Sequence, residues 1–289
     1  MQHTKAQVEV PDEVRAALEA IVAERRFELP LLPDVAARVI AMCNAPDTDA
    51  AAMSEVLHRD QAFAGHVLRV ANSPLLGSTV PIVSLQQAVS RMGMARIAEI
   101  AVAVSVQTRV FGAGGHMALL RAMWRHSLAA ACFAKEIARA RRRNVEGMFL
   151  AGLLHDVGKP IVLDMIGGVE RESGTRLVPG ELRAALDAFH CRVGAMLSEA
   201  WKLPEPVTEA IRFHHEHQAA TDHAQVAAMT CLADLMAHAV LPNALDDHGI
   251  DEQAVRGAAV IEALNLYSDD LDALFALAPD VEAAVEAAS

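Results

Sequence analysis

Residues 117–143 read MALLRAMWRHSLAAACFAKEIARARRR, a long run without Gly or Pro in which Ala, Leu and Met supply the apolar mass. Ala, Leu and Met are strong helix formers, so this run is expected as a helix near 117–142. The segment before it, FGAGGH at 111–116, is the strongest internal breaker of the first half. Working outward, residues 12–25 place Val14, Leu18, Ile21 and Val22 at spacings of three and four, one helical face. Helices follow over 34–42, 47–58, 60–71, 85–92 and 95–110, with a turn at 28–33, breaks at Pro74 and Gly77, and Ser84 as an N-cap. Nothing there alternates with period two for long enough to make a sheet. Beyond the long run, helices are expected near 144–156, 180–200, 204–217 and 222–240, then 251–264 and 268–287, while 164–180 reads as a glycine-bearing loop. The fold class is all-α, divided at the breaker into residues 1–115 and 116–289.

The chain has 289 residues, 53% hydrophobic and 4% aromatic, which excludes a disordered or collagen-like chain. Its formal charge of −12 repels polyanions, so binding to a nucleic acid duplex or an anionic membrane is not expected as the main role. The four cysteines (Cys43, Cys132, Cys191, Cys231) are scattered, without a C-x-x-C pair. The N-terminus has neither a cationic nor an apolar leader region, and the apolar run 97–106 is too short for a span. A soluble, cytoplasmic protein is expected.

Histidines are numerous, 13 in all. An ordered set stands in apolar helical sequence: His126, then His155 and Asp156 within GLLHDVGK, His190 in FHCRVGAML, His214 and His215 in AIRFHHE, and Asp234 in TCLADLMA. Unpaired imidazoles and carboxylates are costly to bury, and shared divalent cations repay that cost. Imidazole mixed with carboxylate suits iron, manganese, nickel or zinc better than calcium or magnesium. The plain alternative is an accidental collection of core and surface histidines, and the order of the set argues against it. Gly152 and Gly194 would let neighbouring helices approach closely. Gly158 is expected to terminate the helix that carries His155 and Asp156, leaving them facing a cavity.

GLLHDVGK, with His126 upstream and Asp234 downstream, resembles the HD superfamily of metal-dependent phosphohydrolases. The stretch RDQAFAGHVLRVANSPLLGSTVPIVSLQQAVSRMGMARIAEI (59–100), together with WRHSLAAA, FLAGLLHDVGK and HCRVGAMLSEAWKLPEPVTEAIRFHH, resembles the HDOD proteins, HD-related output domains of bacterial signalling, over roughly residues 27–240. The resemblance implies an HD-like helical bundle with an N-terminal helical subdomain. It also implies one metal held by His126, His155, Asp156 and Asp234, with Asp156 bridging to a second held by His190, His214 and His215. Lys159 matches the motif lysine that contacts a ligand phosphate in active relatives, where it and Asp156 would be catalytic. Its plain reading is a cation complementing a helix C-terminus.

The departures from the pattern narrow the function. The paired histidines continue HHEHQAATDHAQ rather than into a Gly-Tyr-Pro signature, which speaks against a cyclic-di-GMP phosphodiesterase, and Ala122 stands where some of those enzymes have a third-metal ligand. His217, His223, His238 and His248 break the motif pattern and read as solvated. Trp124 and Trp201 read as core anchors, Asn72-Ser73-Pro74 as a turn, and the cluster Arg139 to Arg143 as a cationic helix end. Two functions follow as expectations. One is a signalling output module whose metal site and nucleotide-sized pocket serve a small phosphorylated ligand or a protein partner. The other is a metal-dependent phosphohydrolase acting on a nucleotide or other phosphoester.

Overall fold

The computed structural model describes residues 8–32, 34–43, 49–72, 81–112, 116–242 and 249–288. Pro74, Gly77, the centre of FGAGGH (113–115) and His248 lie outside them. Among the described residues every regular element is helical. The first six helices are α1 (Asp12–Ala23), α2 (Asp34–Cys43), α3 (Ala50–His58), α4 (Gln61–Ala71), α5 (Leu85–Met92) and α6 (Met94–Arg109). The second half holds α7 (Met117–Ala140), α8 (Val145–Leu154), α9 (Gly158–Ser173), α10 (Pro179–Ala200), α11 (Glu205–Phe213) and α12 (Ala224–Val240). Four short helices end the chain: α13 (Glu252–Arg256), α14 (Ala259–Ala263), α15 (Ser268–Phe275) and α16 (Ala278–Ala288).

Two apolar cores organise these elements. Helices α2 to α5 enclose one around Met53, Leu57, Val67 and Leu85. The larger one is built by α7 to α12 around Phe133, Leu153, Leu154 and Ile211. Helix α6 is buried nearly all round because it serves both: Ile97, Ile100 and Val104 face the first, Val102, Ala103 and Val106 the second. Its one buried carboxylate, Glu99, is matched by Arg96 at 2.6 Å, and that guanidinium lies 4.8 Å from the Phe149 ring centroid on α8. Helix α1 packs on α9, so Val14, Leu18 and Val22 enter the larger core.

Polar anchors secure the non-helical joints. Asn72 caps α4 and reaches across to Ile82, whose N–H donates to Asn72 Oδ1 at 2.7 Å while Asn72 Nδ2 donates to Ile82 O at 2.8 Å and Leu68 O at 2.9 Å. Trp201, buried at the end of α10, donates from Nε1 to Pro30 O at 2.8 Å and ties the 28–32 strap to the larger core.

Two readings of the sequence are corrected here. Residues 164–173 are not a loop but the greater part of α9, whose buried face is Ile161, Val162, Met165, Ile166 and Val169. Nor does Gly158 end the preceding helix: it opens α9, which ends at Gly174 in the left-handed region, at φ 73°. What Gly158 does is steric. A Cβ there would meet Gly194 N at 2.7 Å and His190 O closer still, so α9 and α10 touch backbone to backbone. Gly152 similarly lets α8 onto α7, where a Cβ would meet Ala130 O at 2.7 Å, and Gly194 lets α11 onto α10, where it would meet Ile211 Cγ2 at 2.9 Å.

Candidate metal centre

Five chain segments meet at one point, four of them drawn together by those close approaches. His126 comes from mid-α7, and His155 and Asp156 from the tight link between α8 and α9. His190 comes from mid-α10, His214 and His215 from the end of α11, and Asp234 from mid-α12. All are buried except His215, whose side chain is 47% exposed at the mouth.

The imidazoles are oriented from behind. Nδ1 of His155, His190 and His214 lies 2.7 Å, 2.9 Å and 3.0 Å from the carbonyls of Gly152, Leu186 and Ile211. A carbonyl only accepts, so each Nδ1 donates; the neutral rings of His190 and His214 turn an unprotonated Nε2 inward, and His155 does so once its second proton is given up to a metal. Histidine metal ligands are held in this way.

The donor atoms fall into two groups. In the first, His126 Nε2 is 2.9 Å from Asp234 Oδ1 and 3.3 Å from His155 Nε2. His155 Nε2 is 3.3 Å from both Asp234 Oδ1 and Asp156 Oδ2. A metal with ligand bonds of about 2.1 Å sets its donors about 3.0 to 3.4 Å apart, octahedral to tetrahedral, and these separations match. In the second group, His190 Nε2 and His214 Nε2 are 3.3 Å apart, joined by His215 and by Cys191. Asp156 stands between them: its Oδ1 lies 3.2 Å from His190 Nε2 and 3.8 Å from His214 Nε2, while its Oδ2 faces the first group. That Oδ1 is buried without a hydrogen-bond partner, as a lone pair reserved for a cation would be.

The carboxylates and imidazoles of the centre set one another's ionisation. Burial opposes ionisation of Asp156, but His155 and Lys159 outweigh it and hold the carboxyl well below its usual range. Burial likewise opposes ionisation of Asp234, which His238 and hydrogen bonds from His126 and His155 overcome. Burial also disfavours charge on His155, yet the two carboxylates raise it to about 10. Burial pushes His190 down to about 3 and keeps His214 neutral, well below its ordinary range, with the neighbouring His215 adding to the effect. Both carboxylates are therefore ionised, facing Lys159 and the histidine cluster.

Lys159 is the second residue of α9, at a helix N-terminus, so the reading of it as a C-terminal cation is corrected. Its buried ammonium lies 2.7 Å from Asp156 Oδ2, and that carboxylate offsets the unfavourable dipole. His238 is corrected as well. It is buried, its Nε2 is 3.3 Å from Asp234 Oδ1, and its ring centroid lies 4.3 Å from that of His126, tilted by 37°. The signal was in the sequence: position 238 is one turn after Asp234 on the same face of α12. Cys191, beside His190 in the sequence, also belongs to the second donor group.

The HDOD domain model matches residues 29–217, more than half of the chain. The chain belongs to the HDOD family. An uncharacterised protein of Treponema pallidum is 25% identical over 212 residues, which are 68% of this chain and 40% of that protein, so the chain spans about two fifths of that relative. A proposed metal-dependent phosphohydrolase from Shewanella amazonensis SB2B shares the fold with a TM-score of 0.75, at 22% identity, over 96% of this chain and 98% of its own. An HDOD domain protein of unknown function from Geobacter sulfurreducens superposes with a TM-score of 0.61, at 25% identity, over 93% and 97% of the two chains. Among the described residues no helix is long and apolar enough to cross a membrane.

Proposed function

We propose that this HDOD protein is a bacterial cytoplasmic signalling module that binds two divalent transition-metal ions. His126, His155, Asp156 and Asp234 hold the first ion, and His190, His214 and His215 hold the second. The observation that carries this reading is the division of one carboxylate between two donor groups, Oδ2 of Asp156 toward His155 and Oδ1 toward His190. The residues to 115 form the N-terminal subdomain and the rest the metal-binding core, with α1 returning onto that core.

The exposed face of His215 favours a second reading, because it leaves the centre open to a ligand. On that reading the protein is a metal-dependent phosphohydrolase of a nucleotide or other phosphoester. Bound ions would supply a nucleophilic hydroxide and polarise a phosphoryl oxygen. Asp156 would orient the pair, and Lys159 would set its positive charge toward the phosphate.

Metal analysis of the purified chain, followed by a screen against mono-, di- and cyclic nucleotides, separates the two. The signalling reading expects bound metal and a nucleotide that raises the melting temperature without being consumed. Turnover that is lost in Asp156→Ala would establish the phosphohydrolase. Protein that takes up no metal would refute both.

A further inference from the structure

Cys191 has no part in either reading above. Its Sγ lies 3.3 Å from His190 Nε2 and 4.0 Å from His214 Nε2, within the donor group that also contains His215. A thiol is a weak hydrogen-bond partner, and the Nε2 atoms it meets are the ones turned inward by the Nδ1–carbonyl bonds behind them. The spacing instead fits a shared cation. With five donors, bonds of about 2.3 Å to sulfur and about 2.1 Å to nitrogen at angles of about 90–120° put sulfur and nitrogen about 3.1 to 3.8 Å apart, and two nitrogens about 3.0 to 3.6 Å apart. The Sγ–His190 distance and the His190–His214 separation, both 3.3 Å, fall within these ranges, and Sγ stands beside the His214 ring, 3.9 Å from its Nδ1 and 4.0 Å from its Nε2, within a few tenths of an ångström of ligand spacing.

The geometry points to Cys191 as a thiolate ligand of the second metal, which gives that site three imidazoles and one sulfur beside the shared carboxylate of Asp156. The inference rests on the dinuclear reading above. Its consequence is that the two sites differ in chemistry. The first offers two imidazoles and two carboxylates and suits manganese or iron. The second, with a soft thiolate, selects zinc or another thiolate-accepting ion. The centre is then a mixed pair, with Asp156 as the shared carboxylate, and loading with a single hard ion leaves the second site weakly filled.

The test uses the full chain, stripped with a chelator and titrated with Co(II). Uptake should bring a near-ultraviolet thiolate-to-cobalt charge-transfer band that is missing from Cys191→Ser, and the variant should bind its second cobalt at least about tenfold more weakly, with the first unchanged. The band is read on the wild type itself, so this arm of the test is independent of how the variant folds. Cobalt uptake by the wild type without the band overturns the cysteine's role and leaves the dinuclear reading standing. Absence of any cobalt uptake overturns the centre itself and this inference with it.

Discussion

Gly158→Ala places a methyl group where α9 and α10 have no room for one. The new Cβ would stand 2.7 Å from Gly194 N, against the 3.4 Å at which ordinary contact begins, and closer still to His190 O. The helices must therefore part by at least about 0.7 Å, and the atoms in the way are backbone, which cannot rotate aside as a side chain can. Overpacking typically costs about 1–3 kcal/mol, and a backbone clash belongs at the upper end, about 3 kcal/mol. At about 2–4 °C per kcal/mol for a chain of this size class, the melting temperature should fall by about 6–12 °C. The same displacement widens the 3.2 Å separation of Asp156 Oδ1 and His190 Nε2, so the second site should empty first. Gly167→Ala is the control within the same helix. Its Cβ would meet only the Arg171 guanidinium, at 3.4 Å, and it should be neutral or stabilising by about 0.5–1 kcal/mol. Circular dichroism melts and metal analysis read both effects. If Gly158→Ala melts within about 2 °C of wild type and keeps its metal, the close-approach argument is wrong.

Three further outcomes are expected. His238→Ala removes the partner of Asp234 behind the first site, and first-site affinity should drop about 10- to 100-fold in a variant with unchanged circular dichroism; equal affinity would remove His238 from the centre. Metal-free protein should be most stable near pH 6.5, as read by urea midpoints at about pH 5, 6.5 and 9. Below 6.5 the unfolded chain takes up protons that the buried, neutral His190 (about 3) and His214 refuse, so stability falls on acidification by up to about 1.4 kcal/mol per pH unit for each. Above 6.5 the unfolded chain releases the proton that folded His155 keeps until about 10, so the contribution of that residue fades as pH rises through this range, and a flat profile would contradict these assignments. Asn72→Ala deletes the bonds to Ile82 and should cost about 2–3 kcal/mol, visible as a lower urea midpoint; an unchanged midpoint would mean that the clasp is idle.

Helix content and the ligand order were legible because each ligand interrupts an otherwise apolar helical pattern, as His126 does in α7 and Asp234 in α12. Less legible was anything decided by packing between distant segments. Gly158 looks like a helix terminator in one dimension, whereas its function is set by the α10 backbone across from it, 32 and 36 residues on at His190 and Gly194. The Gly167–Gly168 pair made 164–173 look like a loop, yet the apolar spacing of Ile161, Met165, Ile166 and Val169 overrides two glycines once that face is buried. His238 stands outside the ligand motif and so reads as solvated, whereas its one-turn spacing from Asp234 on α12 carries the signal of its place in the centre. The return of α1 onto α9 leaves no local mark in the sequence at all.

The central claim is that Asp156 bridges two metal ions, and metal content per chain tests it most directly. Purified wild type, His190→Ala and Asp156→Ala are compared by elemental analysis, with folding checked by circular dichroism. The account predicts two ions in wild type, mainly loss of the second in His190→Ala, and loss of both in Asp156→Ala, because one carboxylate oxygen serves each donor group. A folded Asp156→Ala that carries the same metal as wild type would contradict it.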